Sequence, residues 1–198
     1  LFKQKKTWHS KTPTILFISN FKWLQNVEAA HILINQVFPL VKKSLPDAKL
    51  HIVGQHIPKD VLKLKSSSIN IDSLAEDDVN SLVKAYHQAD VFASTIKGPG
   101  GTRLKNLAAM ATKLPIVSTK VGIQGLGAKQ GIHVLVGNTP EEISQHIVKL
   151  IKSPKLAERL GVNARKHVEK HFDYKNITKK LSSIYYQLNK KQCLKKTI

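Results

Sequence analysis

Residues 90–119 read DVFASTIKGPGGTRLKNLAAMATKLPIVST, and the prediction of the fold starts from this stretch. A short apolar run at 90–94 leads through a glycine-rich loop into a helical stretch at about 102–112, and a second apolar run follows at 114–119. Short β-rich runs on either side of a helix are typical of parallel strands joined by a crossover. The segment therefore predicts a strand–helix–strand unit with glycines at the start of its helix.

The same alternation continues along the rest of the chain. Further strands are predicted at 14–18, 49–54, 69–71 and 132–136, and further helices at about 27–45, at 76–89 and from 140 to about 188. Six strands alternating with helices favour an α/β fold, a Rossmann-like doubly wound parallel sheet with C-terminal helices. We expect a basic linker or fragment start at 1–12, one domain at 13–188 and a basic tail at 189–198.

Composition restricts the class of protein. The 198 residues suffice for one substantial core, and no apolar run reaches the roughly 20 residues that a membrane helix needs. The single cysteine, Cys193, excludes an internal disulfide, and no signal-peptide pattern follows the basic start. These features favour a cytoplasmic location.

The chain is strongly basic, because 32 Lys and Arg residues against 13 Asp and Glu give a formal net charge of +19. Such a charge favours polyanions or phosphate-bearing ligands, although a lysine-rich source proteome would explain it equally well. Basic runs at 3–6, 190–191 and 195–196 would allow contact with an anionic inner membrane surface, with solvated termini as the alternative. Nucleic acid is not favoured, since no aromatic platform or recognition helix accompanies the charge.

The loop GPGGTR at 98–103 has the chemistry of an anion site. Its glycines allow close backbone approach, and the free N–H groups and dipole of the following helix attract negative charge. Arg103 and Lys105 add two cations, so the loop predicts a phosphate or diphosphate ligand. The pattern matches neither a P-loop nor the nicotinamide fingerprint. An ordinary flexible loop with surface cations is the alternative.

Histidines offer a weaker signal. His167 and His171 are four residues apart on a predicted helix, a spacing that allows metal binding. No third ligand is near them in the sequence, so two solvent-exposed side chains are favoured. His133 is interpreted as a structural histidine at the end of a buried strand. No metal site is predicted.

Five segments carry a family resemblance: ILFISNFKWLQNVEA, PDAKLHIVG, ADVFAS, GGTRLKNLAAMATKLPIVSTKVGIQGL and VNARKHVEKHFDY. In this order and at this spacing they resemble the C-terminal half of the retaining glycosyltransferases of family 4, over roughly residues 13–188. The resemblance implies one half of a GT-B architecture, in which two Rossmann-like domains face a cleft and the C-terminal one binds the nucleotide-sugar donor.

The resemblance also implies which residues contact the donor. We expect the diphosphate and sugar beside the loop after the first strand and the glycine loop, and the base and ribose beside the loops after the second and third strands. The implied donor-binding residues are Lys22, Gly54, Gln55, Ser73, Leu74, Gly100, Gly101, Thr102, Arg103 and Lys105. Catalytic residues from the N-terminal acceptor domain cannot be assigned on this chain.

The chain departs from the family pattern at several of these positions. Ala108 stands where the second glutamate of the family's motif typically holds the ribose hydroxyls. The first glutamate falls on Gly100, although a Gly-Gly-Thr-Arg-Leu-Lys version occurs in one branch of the family. Ser19 replaces the glycine that usually ends the first strand, and Leu24-Gln25 replaces a common Arg or Lys. The glycine loop, with Thr102 and Arg103, therefore keeps its anion-binding groups, whereas several other donor contacts are weakened and the carboxylate expected to hold the ribose is absent.

Three functions follow as alternatives. The first is a donor-binding domain for retaining, metal-independent glycosyl transfer in polysaccharide or glycoconjugate biosynthesis, with a UDP- or GDP-sugar as substrate and no cofactor. Alone, without its N-terminal acceptor domain, this chain is expected to be inactive. The second is a degenerate glycosyltransferase-like domain that acts as a partner or scaffold, suggested by Ala108. The third is a module that binds polyanions or membrane surfaces.

Overall fold

A six-stranded sheet with helices on both faces forms the protein, as seen in a computed structural model that describes residues 12–98, 101 and 103–195. All strands are parallel, in the order β3-β2-β1-β4-β5-β6. The strands are β1 (Thr14–Asn20), β2 (Lys49–Gln55), β3 (Ile69–Ser73), β4 (Val91–Ser94), β5 (Ile116–Ser118) and β6 (Leu135–Val136). The strand order reverses between β1 and β4, and ligands of such sheets bind at this switch point.

Eight α-helices follow or connect these strands within the described residues. They are α1 (Leu24–Ile32), α2 (Phe38–Ser44), α3 (Lys59–Leu62), α4 (Val79–Gln88), α5 (Leu104–Ala111), α6 (Pro140–Lys152), α7 (Pro154–Phe172) and α8 (Tyr174–Lys195). A short 3₁₀ turn at Val121–Ile123 follows β5. The observed architecture is the Rossmann-like fold that the alternating pattern predicts.

Strand β1 shows why helices cover both faces of the sheet. Ile15 and Phe17 belong to one buried apolar cluster, whereas Leu16 and Ile18 belong to the other. Because successive side chains of a strand point to opposite faces, a continuous apolar run such as TILFI requires a core on each side. The predicted doubly wound arrangement is therefore confirmed.

Several boundaries differ from the sequence prediction. The helix predicted over 27–45 begins at Leu24, and a π-helical turn at Leu33–Val37 divides it into α1 and α2. Pro39 lies two residues after this turn and has no N–H to donate, which accounts for the irregularity. The short helix α3 was not predicted. The sixth strand, predicted at 132–136, is reduced to two residues because a turn occupies 131–133.

The C-terminal helical stretch differs in another way. It breaks at Asp173, whose carboxylate accepts a hydrogen bond from the Lys175 backbone N–H at 2.8 Å. The helix resumes as α8 and continues to Lys195, through most of the segment predicted as a basic tail. At the start of α6, Thr139 and Glu142 form a reciprocal capping box.

Gly54 allows β1 and β2 to approach at their carboxyl ends. It pairs with Ser19 in the parallel register, and a Cβ atom at this position would lie 1.9 Å from the Ser19 carbonyl oxygen. The ring of Phe21 fills the remaining space, since its Cε2 atom would lie 2.8 Å from that Cβ. Any side chain at position 54 would therefore push two paired strands apart.

We predict that Gly54→Ala destabilises the fold by about 3 kcal/mol, because overpacking against backbone cannot be relieved by a rotamer change. Denaturant unfolding followed by circular dichroism measures the free energy of unfolding. Gly101→Ala is the matched control, because a Cβ there meets no atom within 4 Å. A loss below about 1 kcal/mol for Gly54→Ala, similar to that of the control, would contradict the close approach.

Candidate functional site

A cavity of about 660 Å³ opens beyond the carboxyl ends of β1 and β2. Its walls come from the end of β1, the end of β2, the segment that leads into α4, and the first turns of α1 and α5. This is the edge of the sheet where the strand order reverses, so the fold places the cavity where parallel α/β sheets bind their ligands. The side chains around it determine which ligand it fits.

Lys105 is the central charged group of this cavity, and its side chain is largely buried. Its Nζ donates hydrogen bonds to Ser19 Oγ at 2.5 Å and to Asn26 Oδ1 at 2.9 Å, and lies 5.2 Å from the centre of the Phe17 ring. Both hydrogen-bond partners are neutral, and no carboxylate among the described residues pairs with the ammonium. Burial, followed by repulsion from Arg103, lowers the pKa of Lys105 to about 7.

The groups around Lys105 are themselves held in place. The Asn26 Nδ2 group donates to the Asn20 carbonyl at 2.7 Å, which orients the amide oxygen toward the ammonium. The hydroxyl of the buried Tyr86 donates to the Lys105 carbonyl at 3.0 Å. Burial raises the pKa of Tyr86, so this phenol remains a neutral donor. The position of the ammonium therefore depends on β1, α1 and α4 as well as on its own helix.

Arg103 supplies a second cation at the start of α5. One of its terminal nitrogens, Nη2, donates to the Gly98 carbonyl at 2.8 Å, which holds the guanidinium against the glycine loop. Its Nε is buried and has no hydrogen-bond partner among the described residues. A buried N–H without an acceptor costs free energy, and an anionic oxygen would satisfy it. The first turn of α5 adds the positive end of a helix dipole.

Gln55 joins two loops at the rim of the cavity. Its Oε1 accepts a hydrogen bond from Asn20 Nδ2 at 3.3 Å, and its Nε2 donates to the carbonyls of Ala75 at 3.4 Å and Glu76 at 3.3 Å. The Leu74 backbone N–H bonds to the Gly54 carbonyl at 2.8 Å. These contacts fix the segment that leads into α4 beside the end of β1.

One wall of the cavity is apolar. Ala108 lines it together with Leu74, Val79 and Leu82. The two carboxylates that line the cavity, Glu76 and Asp78, come instead from the segment before α4. Asp78 caps that helix by accepting the Ser81 backbone N–H at 3.0 Å, and this hydrogen bond lowers the pKa of Asp78.

The structure brings most of the predicted donor-binding residues together. Lining the cavity are Gly54, Gln55, Leu74, Gly101, Arg103, Lys105 and Ala108. Lys22 and Ser73 are exposed and lie outside this lining. Gly100 and Thr102 fall outside the described residues.

Three further residues of the site were missed by sequence reasoning: Ser19, Asn26 and Tyr86. Ser19 was noted only as a departure from the family's glycine, and the structure makes it a partner of Lys105. Asn26 and Tyr86 reach the same region from α1 and α4. No local sequence pattern links residues so far apart in the chain, so the sequence alone could not predict these contacts.

Within the described ranges, no group of three His, Cys, Asp or Glu side chains is arranged to hold a metal ion. In the same part of the chain, no helix is both long and apolar enough to cross a membrane. The polar groups that line the cavity around Lys105 are cations, amides and hydroxyls, with the carboxylates of Glu76 and Asp78 at one side.

Comparison with known proteins gives the chain its family. Residues 12–153 match the family model described as glycosyl transferases group 1. A 44.6 kDa protein from the cps region of Klebsiella pneumoniae is 26% identical over 178 residues, covering 86% of this chain and 45% of that protein. The chain thus spans less than half the length of this relative.

Two solved structures share the fold. S. aureus TarM, in complex with fondaparinux, alpha-GlcNAc-glycerol and UDP, has a TM-score of 0.73 at 19% identity, covering 93% of this chain and 38% of TarM. Anabaena HepE in complex with UDP-glucose has a TM-score of 0.70 at 17% identity, covering 89% of this chain and 49% of HepE. With the family model matched over most of its length, the chain belongs to the group 1 glycosyl transferases and has the Rossmann-like fold of one GT-B domain.

Proposed function

We propose that this chain binds the nucleoside diphosphate of a sugar-nucleotide donor in the cavity around Lys105. In a longer protein it would supply the donor half of a retaining, metal-independent glycosyltransferase. One observation carries the proposal: among the described residues, a largely buried ammonium with only neutral partners lies beside a guanidinium whose Nε–H is unpaired. Desolvation and mutual repulsion make this pair costly, and a diphosphate would relieve both.

The ligands named for two structural relatives agree with this proposal. TarM was solved with UDP and HepE with UDP-glucose, and both share the fold of this chain. Membership in a family of glycosyl transferases does not favour the alternative of a non-catalytic partner domain. UDP is accordingly the first ligand to test, followed by GDP and the corresponding sugars.

The same residues suggest how glycosyl transfer would proceed without a divalent ion. Departure of the nucleoside diphosphate leaves negative charge on the β-phosphate, and Arg103, Lys105 and the first turn of α5 would stabilise it. Preorganised positive groups at this point are worth more than they would be in water, because the cavity partly excludes solvent. The acceptor would bind to the part of the protein that this chain does not include.

We predict that Lys105→Met weakens UDP binding by about 1.5–3 kcal/mol, the range for a lost hydrogen bond to a charged group. This corresponds to roughly a 10- to 100-fold increase in Kd, measured by isothermal titration calorimetry. Methionine keeps the apolar stem of the side chain, so the helix should remain folded. Lys97→Met is the matched control, because Lys97 is exposed in the same loop and lines no part of the cavity.

Equal affinities of the two variants for UDP would show that Lys105 does not contribute to binding. If the unmodified chain binds neither UDP nor GDP at millimolar concentration, the donor-binding proposal itself is wrong.

The affinity for UDP should depend on pH through Lys105. Its pKa is lowered to about 7 in the free protein, so above pH 7 the amine is mostly neutral and must take up a proton when the anion binds. The Kd is therefore expected to rise by up to about tenfold per pH unit above pH 7. The second ionisation of a phosphate group, near pH 6, is already complete in this range. Calorimetry at pH 7 to 9 should show this slope, and Lys105→Met should abolish it.

Ala108→Glu tests the effect of restoring the carboxylate that the family resemblance implies beside the ribose hydroxyls. Residues 105 and 108 are three apart on α5 and share one face, so the new carboxylate would enter the cavity. We predict that UDP binds about 1–2 kcal/mol more tightly, through a charged hydrogen bond to the ribose hydroxyls. Inorganic pyrophosphate, which has no ribose, serves as the control ligand and should not bind more tightly. Equal changes for both ligands would show that the ribose does not lie beside position 108.

A further inference from the structure

A second cavity, of about 740 Å³, lies between the segment 125–133 and the C-terminal half of α7. Three imidazoles line it: His133 from the turn before β6, and His167 and His171 from α7. The centre of the His167 ring lies 4.5 Å from that of His133 and 4.7 Å from that of His171. The sequence favours solvent-exposed side chains for His167 and His171, with no third ligand nearby. His171 is exposed as expected, whereas His167 is partly buried and the fold brings His133 beside it from another element.

Hydrogen bonds determine which ring nitrogen carries the proton in the neutral forms of two of these histidines. The Lys129 backbone N–H donates to His133 Nδ1 at 3.0 Å, so the neutral ring of His133 carries its proton on Nε2. The Leu126 carbonyl can only accept, so His167 Nε2 is the donor in their 2.7 Å hydrogen bond. His167 Nδ1 is then a bare lone pair until the ring is protonated. The His171 ring makes no hydrogen bond within the described part of the chain.

Lysines provide the remaining charge of this cavity. Lys129, Lys166 and Lys170 line it, and its described lining contains no Asp or Glu. From α8, Lys180 adds positive charge near His171. A cavity with several cations and no carboxylate has a strongly positive potential.

The acids nearest in the chain are engaged elsewhere. Glu169 pairs with Arg165 on the same helix, and Asp173 accepts the Lys175 backbone N–H. Burial, followed by the charge of His167 and of neighbouring lysines, lowers the pKa of His133 and of His171. Without an anion, the cavity therefore opposes the protonation of its own imidazoles.

We propose that this cavity is a second anion site, which takes a phosphate-bearing ligand and binds it more tightly as the pH falls toward 6. Phosphate oxygens accept hydrogen bonds, and the cavity supplies donors in His133 Nε2–H and the three lysine ammoniums. Protonation of His167 would add its Nδ1–H, and the bound anion would stabilise the imidazolium. No lining residue is shared with the cavity around Lys105, so the two sites are separate.

The geometry favours an anion over a metal ion. The rings of His133 and His167 are tilted by 31° at a 4.5 Å separation, so they stack rather than direct nitrogens at one point. One nitrogen of each ring is already hydrogen-bonded to the backbone. The three imidazoles do not form a metal-binding group in the described structure.

Inorganic pyrophosphate is the probe for the test. The imidazole Cε1–H signals of the whole chain are followed by NMR from pH 5 to 8.5, with and without pyrophosphate, and assigned through single His→Asn variants. We expect pyrophosphate to raise the pKa of His133 and of His171 by about 1 unit and to move the signal of His167. Its Kd at these signals should be about tenfold lower at pH 6 than at pH 7.5, as for uptake of one proton.

Three variants separate the site from general charge, from the effect of histidine replacement and from the other cavity. Lys166→Gln with Lys170→Gln changes only exposed side chains of α7, so folding is preserved, and it should weaken the response at least fivefold. His31→Asn is the control for histidine replacement, because His31 pairs with Asp60 outside this cavity. Lys105→Met should leave the response unchanged, since it alters only the first cavity.

A second arm identifies the source of the phosphate group. Flotation with phosphatidylcholine vesicles, with and without phosphatidic acid, is measured at pH 6. Capture that requires phosphatidic acid and is lost in the double lysine variant supports a lipid headgroup as the ligand. A pyrophosphate response without such capture supports a soluble phosphate ester.

The proposal is overturned if millimolar pyrophosphate leaves the signals of the three histidines unshifted, or if the double lysine variant responds like the unmodified chain. Stoichiometric Zn²⁺ binding at these rings, without a pyrophosphate response, would overturn it in favour of a metal site.

Discussion

The hydrogen bonds from the Lys105 ammonium to Ser19 and Asn26 tie together β1, α1 and α5 at one point. They place a cation inside the protein with neutral partners only, a position that costs solvation free energy in the absence of a ligand. The neighbouring elements reduce that cost through the Asn26 and Tyr86 hydrogen bonds and the nearby ring of Phe17. The cavity beyond the carboxyl ends of the strands is lined by this ammonium and by both of its hydrogen-bond partners.

The carboxyl edge of the sheet is made of small and polar residues, in contrast to the apolar strands behind it. Ser94 and Ser118 pair across β4 and β5, and both hydroxyls are buried without a partner among the described residues. Gly122 packs so closely on Ser118 that a Cβ there would lie 2.2 Å from its hydroxyl oxygen. Gly122 in the turn after β5 and Gly54 on β2 both let backbone segments approach one another at this edge of the sheet. The apolar interior stabilises the sheet, whereas this edge gives it a binding surface.

The sequence predicted the fold well because periodicity is local. Alternating apolar runs located all six strands, and β1 alone required a core on both faces. The site was predicted in part, because the glycine loop and its cations form one continuous motif. What could not be predicted were contacts between distant segments, such as Lys105 with Ser19 or His133 with His167. An interruption of the helix predicted over 27–45 is expected at Pro39, but its π-helical form depends on how the proline is accommodated, which no residue pattern specifies.

The net charge of +19 alone does not distinguish a binding function from a lysine-rich composition. The positions of the individual cations in the structure distinguish these two explanations. Exposed lysines cost the fold little, so their number reflects composition as readily as function. A largely buried ammonium beside a guanidinium N–H that has no partner in the described part of the chain lowers stability unless an anion binds there, and surface composition does not explain it. The second cluster is distinguished by its arrangement: His133 and His167 stack at a cavity whose described lining holds three lysines and no carboxylate. These two clusters, rather than the total charge, are the reason to expect anionic ligands.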